Sequence, residues 1–259
     1  MSRSFNGTSD YLNSSGAVEV HAFSAITVAF WLWWNSFAND DHLCMESSTA
    51  FFSNSGFIID PDSTANNNFS CRVGDDSGNV KGASFARPSA AAWHHYCIVF
   101  DRSVSNGVSA AYVDGASQSL TNDFTQALGT ANFGNNTLYF MSRGGTALFG
   151  AGKLAEVAVW TVKLSANEAK ALSLGAYPMA VNNANLLNYW PLWGLHSPEL
   201  EFSNNNTATV HGAAQDNHAP VKPFSSRFWR AEAPPGAAAA SAVPYDVPHS
   251  PQHQAIMAM

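Results

Sequence analysis

The sequence is poor in charged residues and contains no cluster of basic ones. Only 12% of its 259 residues are charged, about half the usual share, and the formal net charge is −7. Because binding to a nucleic-acid backbone requires clustered cations, nucleic acid is not expected as a partner. Asn, Ser, Thr and Gly must therefore cover most of the surface.

Cysteine is also scarce, and its pattern excludes two kinds of site. The three residues lie in separate apolar runs, without the spacing of a metal site, and their odd number argues against a complete disulfide framework. We expect Cys44, Cys71 and Cys97 to be small buried hydrophobic residues in a reducing compartment.

Targeting and membrane segments are not apparent either. Residues 1–5 lead directly into a strand-like pattern without an apolar signal region, so no signal peptide is expected. The stretch 22–39 has no formal charge and is nearly long enough to cross a membrane. Polar residues such as Ser24 and Asn35 interrupt it, and its Trp and β-branched content favours a sheet, so no membrane segment is expected.

Motifs of common cofactor and catalytic sites are missing. The sequence has no Gly-rich phosphate loop, P-loop or Gly-x-Ser-x-Gly elbow. His94 and His95 are adjacent on a predicted strand and should point to opposite sides, so they cannot share a metal ion without a bulge. We expect one of them in the core, hydrogen-bonded, and the other exposed.

The most informative stretch is a long strand followed by a short helix. Residues 152–160 alternate with the period of a strand. The predicted faces are Leu154, Glu156, Ala158 and Trp160 on one side, and Ala155, Val157 and Val159 on the other. Ser165 and Glu168 then have capping-box spacing, which predicts a helix that reaches about Leu174 and stops at Gly175.

Residues 26–34 form the densest apolar strand, and both of its faces are apolar. Thr27, Ala29, Trp31 and Trp33 should point one way, and Val28, Phe30, Leu32 and Trp34 the other. One face packs in a core, so the second face needs additional cover. The chain's own loops are the favoured source, and a neighbouring subunit or a ligand are the alternatives.

Many shorter strand-like runs are separated by turn residues, which predicts an all-β fold. They lie at 42–46, 56–60, 69–73, 80–83, 93–101, 110–115, 138–142, 186–193 and 208–212. We expect the last of them to pair with the N-terminal strand and close a sandwich.

Four segments resemble laminin-G-type domains of the concanavalin A-like lectin/glucanase superfamily. They are FNGTSDYL at 5–12, the Trp-His-His opening at 93–95 with YVDG at 112–115, the strand and helix at 152–174, and YWPL at 189–192 with VHG at 210–212. The last segment often precedes the opening strand in such chains, so its position here suggests a permuted start. The resemblance implies a concanavalin A-like jelly roll over residues 1–222: an all-β, two-sheet antiparallel sandwich with one short helix.

Residues 223–259 differ in composition from the rest. They are rich in Pro and Ala and lack an alternating pattern, which predicts an extended C-terminal arm. Aromatic and basic residues within the arm are the candidate partner-binding residues, docked either on the chain's own sandwich or on another protein. They are Phe224, Arg227, Phe228, Trp229 and Arg230.

The superfamily includes glucanases, which need paired carboxylates on one strand. The corresponding strand here offers only Glu156, so we expect no enzymatic activity and a structural, hydrogen-bonded role for this residue. Many relatives bind calcium through loop carboxylates, and no other cofactor is expected. The calcium candidates are Asp40, Asp41, Asp75 and Asp76, although solvated turn acids are the favoured interpretation.

Bacteriophage-encoded laminin-G-like chains share YWPLWGL, here at 189–195, and HAPV, here at 218–221. This resemblance implies a structural or binding protein of a phage or viral particle, such as a capsid decoration, fibre or spike protein. It would be assembled in the host cytoplasm, lie on the virion surface, and contact virion proteins such as a major capsid protein, or further copies of itself.

The alternative function is a carbohydrate-binding module. Exposed aromatic side chains of such a fold can stack on the sugar rings of surface glycans. The candidate residues are Trp33, Trp34, Trp190 and Trp193, although core packing is the favoured role for each.

Overall fold

Among the residues that the structure describes, two antiparallel sheets of eight strands each form the fold, which confirms the predicted sandwich. The computed structural model describes residues 1–38, 41–48, 50, 53–64 and 67–221. The strands within these ranges are numbered in chain order. The predicted arm, 223–259, lies outside the described residues.

Sheet A contains the longest strands and also the N-terminal strand. Its spatial order is β10 (Ala116–Ser117), β9 (Val108–Val113), β8 (Trp93–Asp101), β3 (Ala25–Trp34), β13 (Ala151–Trp160), β1 (Ser2–Asn6) and β16 (Ala214–Asp216). A further strand, β14 (Leu186–Trp190), pairs with the second half of β13.

Sheet B contains shorter strands. Its spatial order is β11 (Thr121–Thr125), β7 (Val80–Phe85), β6 (Phe69–Gly74), β5 (Phe57–Asp60), β4 (Met45–Glu46), β12 (Asn136–Phe140), β2 (Tyr11–Val18) and β15 (Ala208–His211).

The main core lies between the sheets and follows the predicted alternation of β3. Val28, Phe30 and Leu32 pack in this core, as expected. The opposite face of β3 is covered by the chain itself: Ala29 packs against the helix region, and Trp31 packs against Ala219. The favoured source of cover is therefore confirmed.

The helix α1 (Ala166–Ser173) begins where the sequence predicts. The Ser165 hydroxyl accepts a hydrogen bond from the Glu168 backbone amide, and the Glu168 carboxylate accepts one from the Ser165 amide at 2.7 Å. This reciprocal capping box satisfies two amides that a helix start otherwise leaves without a partner. Leu172 on its inner face packs over sheet A.

The predicted alternation of β13 is wrong after Ala155. A bulge at Glu156, whose φ is +54°, shifts the pattern by one residue. As a result Leu154 and Val157 both pack in the main core, and Ala158 lies on the outer face. Glu156 is the residue that interrupts the alternation.

The closing strands pair differently from the prediction as well. β15 pairs with β2, and the unpredicted strand β16 pairs with the N-terminal β1. Two further strands, β10 and β11, were not predicted. Both lie at sheet edges, and β11 is polar.

The expectation for the two histidines holds in part. His95 is buried, but it lies on the outer face of sheet A against the edge of Trp31, with 5.3 Å between ring centroids. Its Nδ1 has no hydrogen-bond partner among the described residues, and burial lowers its pKa to about 3. The expectation that the buried histidine is hydrogen-bonded is therefore wrong. His94 is half-buried, with its Nδ1 2.7 Å from the Asp114 carboxylate.

All three cysteines are buried and unpaired. Burial raises the pKa of each thiol, that of Cys97 to about 12.

In the part of the chain that the structure describes, no helix has the length and apolar character of a membrane span.

Candidate functional site

A cavity of about 380 Å³ opens on the outer face of sheet B. This volume lies within the range of about 300–1,000 Å³ that is typical of small-molecule sites. Its apolar floor and its charged walls come from different elements. The floor is formed by Leu43, Ile58 and Leu148, and the walls by Asp41, Asp60, Arg72 and Arg143.

The alternation of two neighbouring strands places the central wall residues. In β5, Phe57 and Ile59 pack in the core, so Asp60 points outward. In β6, Cys71 and Val73 pack in the core in the same way, and Arg72 between them points outward. Two adjacent strands therefore present one acid and one guanidinium side by side.

Backbone hydrogen bonds hold the floor in place. The Leu43 amide donates to the Leu148 carbonyl at 3.0 Å, and the Cys44 amide donates to the Ile59 carbonyl at 3.0 Å. The segment that contains Leu43 is thereby fixed between β5 and the turn after Ser142. The floor is consequently held by backbone hydrogen bonds that lie outside the regular strands.

Arg72 is held rigidly at the cavity wall. Its Nε donates to Ser70 Oγ at 3.0 Å, and its Nη2 donates to Ser63 Oγ at 2.8 Å and lies 3.8 Å from Asp60 Oδ2. The Arg72 side chain is 9% exposed. A guanidinium so fixed can offer its remaining N–H groups to a ligand without a loss of rotamer freedom on binding.

The two carboxyl groups of the cavity differ in protonation. Burial raises the pKa of Asp60 to about 7, against the opposing effect of Arg72. Burial acts on Asp41 in the same direction, but hydrogen bonds from Thr64 to its carboxylate, at 2.6 and 2.8 Å, hold its pKa below the usual value. Asp41 is therefore the ionised acceptor, and Asp60 titrates near neutral pH.

Arg143 compensates another buried acid. Its Nε donates to Glu46 Oε2 at 2.9 Å, and Glu46 is fully buried. Burial raises the pKa of Glu46, and the Arg143 charge opposes this shift. Arg143, which borders the cavity, is thus held in place by its hydrogen bond to the buried Glu46.

Hydrogen-bond donors and acceptors thus surround an apolar floor. This combination suits a compact molecule that carries several hydroxyl or carboxylate groups and one apolar face. Four of these residues were not predicted from the sequence: Asp60, Arg72, Arg143 and Leu148. A signal was present for two of them: Asp60 and Arg72 are single charges in otherwise apolar strands.

The calcium candidates are not brought together. Asp41 lies in the cavity, and Asp40 lies outside the described residues. Asp75 and Asp76 lie in the turn at the far end of β6, where the Asp75 carboxylate accepts hydrogen bonds from the amides of Gly129, Ser77 and Asn79. Although Asp75 is buried, these bonds lower its pKa to about 2. Across the described ranges, no group of three or more His, Cys, Asp or Glu residues could hold a metal ion.

The four candidate tryptophans are divided between core and surface. Trp34 and Trp190 are buried in the core, out of reach of a sugar ring in solution. Trp33 is half-buried on the outer face of sheet A, edge-on to Trp93, with Lys153 Nζ 5.1 Å from its ring centroid. Trp193 borders a second cleft.

This second cleft, which we call the Trp193 cleft, has a volume of about 370 Å³ and lies on the outer face of sheet A. Glu156 lies at its base and is 4% exposed. Its carboxylate accepts a hydrogen bond from the Tyr189 hydroxyl and lies 2.9 Å from His218 Nε2. The hydrogen bonding that the sequence predicts for Glu156 is confirmed. Burial and this carboxylate raise the pKa of Tyr189.

The candidate partner-binding residues of the arm all lie outside the described residues. Their role stays a prediction. They are Phe224, Arg227, Phe228, Trp229 and Arg230.

A laminin-G-type family model, described as the concanavalin A-like lectin/glucanases superfamily, matches residues 6–170. None of the proteins with curated functions matches the sequence at a significant level.

Solved structures resemble the fold at low sequence identity. A putative carbohydrate binding protein from Bacteroides ovatus aligns with a TM-score of 0.60 and 18% identity, over 86% of this chain and 62% of that one. A heptameric pentraxin from Limulus polyphemus aligns with a TM-score of 0.52 and 11% identity, over 81% of this chain and 93% of that one. A tailspike protein from an Escherichia coli bacteriophage reaches a TM-score of 0.48 with 17% identity, over 73% of this chain and 26% of that one, which is too low to support an inference.

Proposed function

The chain belongs to the concanavalin A-like lectin/glucanase superfamily, and on this premise we propose that it is a non-enzymatic, lectin-like protein that binds a glycan in the cavity on sheet B. The observation that carries the proposal is the ring of charged groups around an apolar floor in that cavity. The similar fold of a putative carbohydrate binding protein is consistent with it.

Each part of the cavity has a role in this proposal. The C–H face of a sugar ring packs on Ile58 and Leu148, while its hydroxyl groups donate to Asp41 and accept from Arg72. A guanidinium also forms strong, paired hydrogen bonds with a carboxylate. Acidic sugars are therefore the favoured ligands.

The contacts of the carboxyl groups favour binding over cleavage. Glycoside hydrolysis uses a pair of carboxyl groups, one as an acid and the other as a nucleophile or base. Here the Asp41 carboxylate accepts two hydrogen bonds from Thr64, and Asp60 Oδ2 lies 3.8 Å from Arg72 Nη2, so side chains of the cavity already hold both groups.

A glycan array with the purified chain tests the proposal, together with the variant Leu148→Trp. The larger side chain fills the half-buried floor, and we expect the affinity for the bound glycans to fall at least about tenfold, which is about 1.4 kcal/mol. The same substitution at Leu174, which is 58% exposed beyond α1, is the matched control and should leave affinity unchanged.

Two outcomes would overturn the proposal. One is equal binding by the chain and by Leu148→Trp, with both proteins folded by circular dichroism. The other is the appearance of shortened products when a bound oligosaccharide is incubated with the chain and followed by mass spectrometry.

We also propose, from the sequence resemblance, that the protein is a phage or viral virion component. Glycan binding and a place on a particle surface are compatible, since such a protein would contact a host surface first. Detection of the chain in purified particles by mass spectrometry tests this proposal, and its absence from them would contradict it.

A further inference from the structure

A row of paired residues crosses the outer face of sheet B, with one residue from each of six neighbouring strands. Opposite residues of paired strands share a face, and the row runs across the strands with a spacing of about 4.8 Å per strand. The neighbours Ile59, Met45 and Phe140 pack in the main core, so the row lies on the outer face. In spatial order from β6 to β15, the row is Arg72, Ile58, Glu46, Tyr139, Asn13 and Thr209.

The cavity on sheet B occupies one part of this row. Arg72 and Ile58 line the cavity, whereas Tyr139 lies two strands away from Ile58. The cavity volume of about 380 Å³ is near the lower limit of the range that is typical of small-molecule sites. A ligand longer than a compact molecule must therefore continue outside the cavity, over the neighbouring strands.

The row is closed on the far side of Arg72. There it continues to Gly82 of β7 and Phe124 of β11. The Arg72 Cζ lies 5.2 Å from the centroid of the Phe124 ring, and a Cβ added at Gly82 would lie 2.9 Å from Arg72 Cγ and 3.1 Å from Phe124 Cδ2. The two side chains thus close over Gly82, and a long ligand leaves the cavity toward β4 and β12.

In that direction the row offers first a guanidinium and then an aromatic ring. Glu46 is fully buried, and Arg143, whose side chain is 23% exposed, donates to it at 2.9 Å. A ligand that crosses β4 therefore meets Arg143. The next residue, Tyr139, is half-buried and follows Ile58 by about 10 Å. A tyrosine ring supplies an apolar face together with a polar hydroxyl, which suits the face of a sugar ring.

We propose that the ligand of the cavity is a linear acidic oligosaccharide that lies across the strands of sheet B, with Arg143 and Tyr139 as further binding residues. This inference rests on the glycan binding proposed above and adds the length and direction of the ligand. The strand spacing of about 4.8 Å is close to the length that one sugar unit adds to a chain. Three successive units over β5, β4 and β12 then meet Ile58, Arg143 and Tyr139 in turn.

Isothermal titration calorimetry with galacturonic acid and with its linear trimer tests the length of the site. We expect the trimer to bind at least about tenfold more tightly than the monomer, which is about 1.4 kcal/mol. Tyr139→Ala should remove most of this gain and leave the affinity for the monomer unchanged, because the monomer occupies the cavity alone. Tyr139→Phe keeps the ring and should keep the gain.

The matched control is Tyr177→Ala, which removes another half-buried tyrosine ring, on the outer face of sheet A. This variant should bind the monomer and the trimer like the unaltered chain. Circular dichroism checks that all three variants are folded. Because each variant is judged by the ratio of its two affinities, a partial loss of active protein does not imitate the expected result.

The outcomes separate this inference from the proposed function. Equal affinities for the monomer and the trimer would overturn the extended site and leave glycan binding in the cavity intact. A gain that Tyr139→Ala retains would overturn the path across β12. Absence of binding by both probes would overturn the acidic chain, and the glycan array then shows whether the proposed function fails with it.

Discussion

The Asp60 carboxyl group is buried in the cavity wall, and burial raises its pKa from 3.8 to about 7. Because the folded-state pKa is above the unfolded-state value, its stabilising effect is complete below about pH 4 and is lost as the pH rises through about 7. We expect the free energy of unfolding to fall by up to about 3 kcal/mol between pH 5 and pH 8. Urea unfolding at the two pH values measures this difference.

The variant Asp60→Asn separates this effect from other titrations. An amide does not ionise, so most of the difference between pH 5 and pH 8 should disappear. Asp76→Asn, at an exposed acid in the turn at the far end of β6, should retain the full difference. If Asp60→Asn keeps the pH dependence of the unaltered chain, the assignment of the titration to Asp60 is wrong.

Some features at the scale of single residues could not be predicted from the sequence. The pattern of β13 correctly predicts a strand, but it gives no sign of the bulge at Glu156, because an extra residue leaves the apolar composition unchanged.

The residues of the cavity on sheet B were not predicted for another reason. Asp60 and Arg72 become neighbours only through the pairing of β5 with β6, and single-strand alternation does not contain that register.

Elements with strong local signals were predicted well. The helix α1 combines a capping box with a terminal glycine, both of which act within a few residues. The strands β3 and β8 are long and apolar. In contrast, β11 and β16 are short and polar, and the neighbouring strand rather than their own side chains stabilises them. Their existence could not be derived from local sequence.

The capping box gives a prediction at this scale. Ser165→Ala removes the hydroxyl that accepts from the Glu168 amide, and we expect the free energy of unfolding to fall by about 1 kcal/mol. Chemical denaturation measures the change. Asn167→Ala, at an exposed position within the same turn, should change it by less than about 0.5 kcal/mol. Equal effects of the two substitutions would mean that the cap does not stabilise the fold.

The whole molecule combines a described sandwich with a tail of different composition. In the part of the chain that the structure describes, the main core and both sheets are formed by residues before 223. We therefore expect deletion of 223–259 to leave a folded sandwich with cooperative thermal unfolding, but one that no longer incorporates into its assembly. Circular dichroism measures the folding, and the protein content of purified particles measures the incorporation.

Incorporation of the truncated chain at normal occupancy would contradict the partner-binding role of the arm. Loss of the cooperative transition would contradict the domain boundary at 222. These two outcomes are independent, so one experiment tests both sequence-based predictions.

The chain leaves the described sandwich at Val221, on the outer face of sheet A, while the cavity opens on the outer face of sheet B. Two packed sheets, about 10 Å apart, therefore separate Val221 from the opening of the cavity. A copy immobilised through the outer face of sheet A, on a bead or on a larger particle, would present an unobstructed cavity to the surrounding solution. Attachment through the solvent side of β5 and β6 would block it.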